Sequence, residues 1–313
     1  MLNYIIKRLI MMIPILLGIS FIAFILINLA PSDPAEVALR VNEIMPTPDA
    51  IISMRQELGL DQPFFYRYFC WLYNAFQLDF GKSFIHRDRL VWDEITRSLG
   101  PTLILALSSF IFILLISLIV GILCAIFANS LFDYMIRIIV FVGTAMPSYW
   151  LALLLIWFFA GYLDLLPTNG YGTWQNLILP TLTLSFVYIA TYIRFIRNNM
   201  IENMQDYAIF YARCRGLKGH TIILKHVLVN SLHTSITALG MSIPQLIAGS
   251  FVVEYIFSWP GLGRLCITSI MNRDYPIIQA YILIMALLFV SCNFIVDIIH
   301  QIIDPRMRER SGA

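Results

Sequence analysis

Gly81-Lys82-Ser83 carries the closing residues of a phosphate-binding loop, in which successive backbone N–H groups cradle phosphates and the lysine meets their charge. Such a loop needs a leading glycine at position 76, and Phe76 stands there, so the cradle lacks its first turn. Gly240-Met241-Ser242 with His300 suggests a second chemistry, nucleophilic attack by a serine hydroxyl within a membrane, which needs the imidazole within ~3 Å. Ser242 lies about eleven residues from the inner end of its apolar stretch, ~16 Å deep at 1.5 Å per residue, while His300 falls near the surface. The two depths do not match. His86, His220, His226, His233 and His300 form no HxxxH or HxxE pair, so no resident metal site is expected. Cys70, Cys124, Cys214, Cys266 and Cys292 are scattered, odd in number and never at CxxC spacing, which fits lone small hydrophobes better than disulfides or zinc knuckles. No catalytic residue is assigned.

The elements that must position these residues are set by composition. Apolar residues make up 59% of the 313 and charged residues only 13%, too few to cover a soluble exterior. Lipid must be part of the solvent. A net charge of +2 gives no reason to expect nucleic acid as partner. Uncharged apolar runs of the ~17–25 residues a bilayer requires occur at 9–30, 102–128, 138–163, 177–193, 231–253 and 277–296, predicting six spanning helices. The first follows Lys7-Arg8 and ends Asn28-Leu29-Ala30-Pro31, longer than the ~7–15-residue apolar core of a signal peptide, so it is expected to stay as an anchor. With both termini inside, Lys7, Arg8, Arg137, Arg194, Arg197, Arg213, Arg215, Lys218, Lys225, Arg306, Arg308 and Arg310 gather on the inner side against five acids.

Two connections are long. Residues 31–100 carry helix signals: Thr47-Pro48-Asp49 as cap and first turn, Gly59 as stop, then Asp61-Gln62-Pro63 opening an aromatic run to Phe76. They predict a small helical segment on the outer face. Residues 194–230 are basic, contain Gly216 and Gly219, and predict two short helices with a turn between them. Within the spans, Met146-Pro147-Ser148 and Ser242-Ile243-Pro244-Gln245 set small or hydroxyl residues beside a helix-kinking proline. Freed backbone groups at that depth must face protein or water, so Met146, Pro147, Ser148, Ser242, Pro244 and Gln245 are candidate pathway walls. Close helix packing through small residues is the other reading. Asp297, in the last span just past its uncharged run, either marks a polar path or pairs with a neighbour such as Arg306.

DYAIFYARCRGLKG at 206–219, followed by KHVLVNSL, resembles the coupling loop of ABC-importer permeases, and more narrowly the peptide/nickel permease family. The likeness continues in GLDQP at 59–63, LDFGKSF at 78–84, MPSYWLALLL at 146–155, EYIFSWPGLGRL at 254–265, NRDYPIIQA at 272–280 and DPRMR at 304–308. PTPDAI at 46–51 and GYGTWQNLILP at 170–180 look closest to nickel-type permeases. In place of the broader loop pattern's Glu-Ala and Pro stand Phe210, Tyr211 and Val229, a departure the peptide/nickel branch shares.

The resemblance implies an all-α, six-span permease of the type I ABC-importer fold. Residues 1–30 would hold the first span, 31–100 the extracytoplasmic helices, 101–303 the five-span core and 304–313 a cytoplasmic tail. Asp206, Tyr207, Ala212, Arg215, Gly216 and Leu217 would form the ATPase-coupling loop, and Glu254, Trp259, Pro260, Gly261, Gly263 and Asp274 an extracytoplasmic motif. The implied partners are a second permease, two cytoplasmic ATPases and an extracytoplasmic binding protein in a bacterial plasma membrane. ATP-Mg would sit on the ATPases, with no cofactor on this chain. The implied cargo is nickel, carried as a chelate that brings its own ligands, with dipeptide or oligopeptide import as the alternative. A membrane-embedded enzyme would need a catalytic pair at one depth, and a scaffold would give no ATP-dependent uptake.

Overall fold

The structure, a computed structural model, describes residues 2–30, 33–85 and 89–303, with side chains for all of these except 2–4, 232–234, 236, 237 and 300–303. His86 and the DPRMR tail with Arg306 lie outside the described residues, as do the side chains of His233 and His300. All regular elements among the described residues are helical, and a single antiparallel bridge joins Lys82 to Leu90. The chain divides into two units, Met1–Thr102 with Pro260–Phe294, and Leu103–Trp259 with Ile295–Ala313.

The first unit opens with α1 (Leu2–Asn28), whose stretch Ile5–Asn28 is apolar enough to cross a bilayer. Three short helices follow, α2 (Pro34–Val41), α3 (Pro48–Glu57) and α4 (Phe64–Phe76). Asp33 caps α2 by accepting from the Ala35 N–H and also holds Arg55 at 2.8 Å, tying α2 to α3. Thr47 caps α3 as its sequence predicts, and Gly59 ends it at φ +64° with the N–H of Leu60 bonded back to Arg55. Helix α4 begins at the expected Pro63. The sequence reading missed α2, although Asp33-Pro34 is itself a cap followed by a first-turn proline. The first turns of α5 (Val91–Ile126), with α14 (Leu262–Met271) and α15 (Tyr275–Ile303), enclose the unit's core of Ala75, Phe80, Val91, Ile95, Leu262, Ile277, Ala280 and Ile284. Helix α5 starts eleven residues before the apolar run at 102, and carries Pro101 within it.

In the second unit, α6 (Leu131–Ala145) and α7 (Ser148–Leu155), the latter continued by a π-helical turn over Ile156–Tyr162, stand where the single proline-kinked span 138–163 was expected. The two halves are bent by 111° at Met146-Pro147. Proline supplies no N–H to the helix, and it pushes Met146 into an extended conformation at ψ 124°. Helix α8 (Trp174–Met204) outruns its apolar window 177–193 because Ile196 and Met200 keep its buried face going past Arg194 and Arg197. The segment after it holds α9 (Tyr207–Cys214), α10 (Gly219–Ile222) and a π-helical stretch Ile223–Val227, the two short helices and turn the glycines predict.

The last expected span of this unit, 231–253, is divided into α11 (Leu228–Gly240), α12 (Ser242–Gly249) and α13 (Phe251–Ile256). Among the described residues, four helices are thus long and apolar enough to cross a membrane unbroken, five with the bent pair, and the sixth stretch is apolar but segmented.

Candidate functional site

The segment between α8 and α11 is built to hold one short helix rigidly while leaving its outer side open. Asp206 caps α9, its carboxylate accepting from the Ala208 N–H at 3.0 Å. Ile209 and Ala212, three apart and so on one face, are buried with Ala125, Ile196, Met200, Ile222 and Val227. On the opposite face stand Tyr207, Phe210, Tyr211 and Cys214, at the i, i+3, i+4, i+7 spacing of a helical stripe. Tyr207 is 81% exposed and Tyr211 66%. Large aromatic side chains left in the open on a helix whose other face is packed make this stripe a candidate docking surface.

The stop of α9 is equally defined. Gly216 sits at φ +77°, its N–H bonds to the Arg213 carbonyl at 2.9 Å, and the Leu217 N–H reaches the Ala212 carbonyl at 3.2 Å. This is the paired closure that a left-handed residue after a helix allows, with Arg215 as the last half-helical position. A Cβ on Gly216 would meet nothing within 4 Å, so the glycine is needed for its backbone angle and not for space.

The pathway candidates separate into two kinds. Met146 and Pro147 form the 111° break, with Ser148 opening α7. Ser242 and Pro244 are buried, and the Ser242 hydroxyl donates back across the break to the Leu239 carbonyl of α11. Gln245 is exposed. The Tyr192 hydroxyl donates to the Ala238 carbonyl at 2.9 Å, so an α8 side chain serves the backbone at the α11–α12 break. Gly143 is a packing residue, since a Cβ there would stand 2.9 Å from the Phe186 ring.

The residues expected to form an extracytoplasmic motif fall in both units. In the second, Glu254 is fully buried and accepts from the Ser250 hydroxyl at 2.8 Å, while Trp259 packs edge-on to Tyr171 at 4.7 Å. The Trp259 N–H bonds to the Glu254 carbonyl across Ser258, held at φ +52°. In the first, Pro260 and Gly261 lead into α14, whose Leu262 N–H is accepted by the Thr102 hydroxyl at 2.8 Å and whose Gly263 is buried. Asp274, also fully buried, accepts from the Ser83 hydroxyl at 2.5 Å and from the N–H groups of Phe84 and Ile85 at 3.2 and 3.4 Å. Gly81-Lys82-Ser83 is therefore a structural anchor for the start of α15.

One pair went unrecognised in the sequence. Asp133, fully buried in the first turn of α6, takes a two-pronged bond from Arg197 at 2.7 and 2.8 Å, and its Oδ2 also accepts from the Asn129 N–H at 2.9 Å. Both residues were counted only as inner-side charges. Their spacing of 64 in sequence gives no local signal of contact. Among the described residues, no three His, Cys, Asp or Glu side chains are grouped to hold a metal ion.

Several apolar helices of spanning length, with a packed, aromatic-faced connecting helix between them, define a multi-pass membrane protein. The family described as "Binding-protein-dependent transport system inner membrane component" matches residues 117–309, and its N-terminal companion matches 1–108. The chain belongs to this family and is a permease subunit of an ABC importer, not an enzyme. The metal-staphylopine import system permease protein CntB of Staphylococcus aureus (strain NCTC 8325) is 36% identical over 314 residues, covering 99% of each chain. The glutathione transport system permease protein GsiC of Escherichia coli (strain K12) is 38% identical over 310 residues, covering 98% of this chain and 99% of that one. Among solved structures, the MetNI methionine ABC transporter in an inward-facing form matches with a TM-score of 0.58 at 19% identity, covering 67% of this chain and 96% of that one. That likeness establishes the type I importer fold.

Proposed function

We propose that this chain forms, with a second permease, the path by which a metal chelate enters a bacterial cell across the plasma membrane, nickel being the metal carried. One of two ATPases docks on the exposed stripe of α9 and the other on the second permease, an extracytoplasmic binding protein delivers the cargo, and both termini are cytoplasmic. ATP-Mg is bound and hydrolysed on the ATPases.

The observation that carries the cargo reading is the near-full-length likeness to the metal-staphylopine permease. A chelate supplies its own nitrogen and oxygen ligands, so the pathway need offer only size, weak polar contacts and release. The likeness to the glutathione permease, of similar strength and extent, favours a second reading in which the cargo is a short peptide. The chemistries overlap, because an amino-acid-built chelator and a short peptide share carboxylates and amines.

Proteoliposomes holding the complete complex, loaded binding protein outside and ATP within, distinguish the two. Radiolabelled nickel should accumulate with a small amino-acid chelator and ATP, and not as the free ion. Accumulation of labelled dipeptide or glutathione with no uptake of the nickel chelate would replace the metal reading with the peptide one.

A further inference from the structure

We propose that α4 lies within the lipid interface of one leaflet beside α1, its exposed aromatic face seated among acyl chains, and is not part of a water-facing cap. Eight of the thirteen residues in FFYRYFCWLYNAF are aromatic and only Arg67 is charged. One side of the helix is accounted for by protein. Phe64, Tyr68 and Trp71 pack on Phe24 of α1 at ring separations of 5.2 to 6.0 Å, and Phe21 meets Tyr68 at 5.1 Å.

The level of this contact along α1 carries the inference. The Tyr68 hydroxyl shares a buried hydrogen bond of 2.9 Å with Ser20. Ser20 stands eight residues before the end of the spanning stretch Ile5–Asn28, about 12 Å along the axis at 1.5 Å per residue. A helix touching α1 there is level with hydrocarbon, not with water. The same buried bond satisfies two hydroxyls that lipid could not.

Among the described residues of its unit the other side of α4 is largely open, with Phe65 stacked on Phe21 of α1 at 6.4 Å along its edge. Phe65, Phe69, Tyr73 and Phe76 recur at i, i+4, i+8 and i+11, and all are more than 60% exposed. An aromatic stripe of this length in water would be an aggregation surface. Beside a spanning helix it matches an interfacial helix, with tyrosine hydroxyls and the Arg67 guanidinium, which lies 5.9 Å from the Phe24 ring centre, reaching the polar boundary. Ile22 and Leu26, on the side of α1 away from α4, are exposed at the same level. The inference is independent of which cargo is carried.

The test uses the complete transporter in lipid nanodiscs with a spin label at Phe69→Cys or Phe76→Cys, Cys70 and Cys214 being replaced by serine. Collision with oxygen, which concentrates in lipid, is compared with collision with chromium oxalate, which stays in water. Labels at Leu26→Cys on α1 and Asp49→Cys on α3 give the lipid and water references. The oxygen-to-chromium ratio at 69 and 76 should match Leu26→Cys and exceed Asp49→Cys several-fold. A ratio equal to that at Asp49→Cys would overturn the proposal by placing α4 in water. Suppression of both collisions would overturn it by showing that a protein partner covers the stripe. Should neither variant assemble, a label at Tyr73→Cys, on the same stripe, gives the same reading.

Discussion

Ser83 and Asp274 lie 191 residues apart in sequence and share a buried hydrogen bond of 2.5 Å. The contact joins the loop after α4 to the N-terminus of α15, and two backbone N–H groups complete the carboxylate's shell. Removing the Ser83 hydroxyl takes one donor from a buried carboxylate, and truncating Asp274 takes the acceptor from the Phe84 N–H, while the Ile85 N–H keeps the Ser83 Oγ at 3.1 Å. Ser83→Ala and Asp274→Ala should each cost about 1.5–3 kcal/mol. The double variant should cost less than their sum, with a coupling of about 0.5–3 kcal/mol. Melting of the purified complex reads all three, and strictly additive losses would contradict a direct bond.

Arg197 and Asp133 join α8 to α6 by a two-pronged, buried pair. Arg197→Ala leaves a buried carboxylate without its main partner and should cost about 3 kcal/mol. Arg197→Lys keeps the charge but loses the fork, so it should recover only part. Raising salt should change the wild-type melting temperature little, because a buried pair is poorly screened. If Arg197→Lys and wild type melted together, the two-pronged geometry would have no energetic weight.

Gly121 and Gly143 both let α8 approach closely, yet they should respond differently to alanine. A Cβ at 121 would stand 2.9 Å from the Ile196 Cβ and 3.3 Å from the Ile193 carbonyl oxygen, next to main chain. A Cβ at 143 would meet only the edge of the Phe186 ring, which can rotate away. Gly121→Ala should cost about 1–3 kcal/mol by overpacking and Gly143→Ala clearly less. Equal melting shifts would show that α8 moves as freely as the ring.

Gly216 separates backbone strain from clash. Its surroundings are open, so Gly216→Ala should cost about 1 kcal/mol through the left-handed angle alone, and Gly216→Asn less because asparagine tolerates that region. Insertion should persist while ATPase association weakens. Identical association for Gly216→Ala, Gly216→Asn and wild type would remove this angle from the coupling helix's requirements.

Local features of the fold were legible in the sequence where one residue type fixes the backbone. Thr47 and Gly59 bounded α3, Gly216 marked the turn after α9, and Pro147 marked a break in the span beginning at 138. The size of that break was not legible, because a proline removes a bond without setting the angle. Apolar length also under-read helix length. Helices α5 and α8 run past their apolar windows because residues such as Ile95, Ile196 and Met200 find protein to pack against where lipid ends. Ser83 with Asp274, and Asp133 with Arg197, were visible only as motif residues or counted charges, since tertiary pairing leaves no periodicity to read. The two faces of α9 could have been found from the spacing of Tyr207, Phe210, Tyr211 and Cys214 against Ile209 and Ala212.

The central claim is that α9 passes the work of separate ATPases to this permease. ATP-dependent cargo accumulation in proteoliposomes tests it most directly, comparing wild type with Tyr207→Ala/Phe210→Ala, which strips the exposed stripe and leaves buried Ile209 and Ala212 in place. Loss of accumulation and of ATPase binding, with unchanged insertion and melting temperature, is the predicted result. Full accumulation and full ATPase binding in the variant would contradict it.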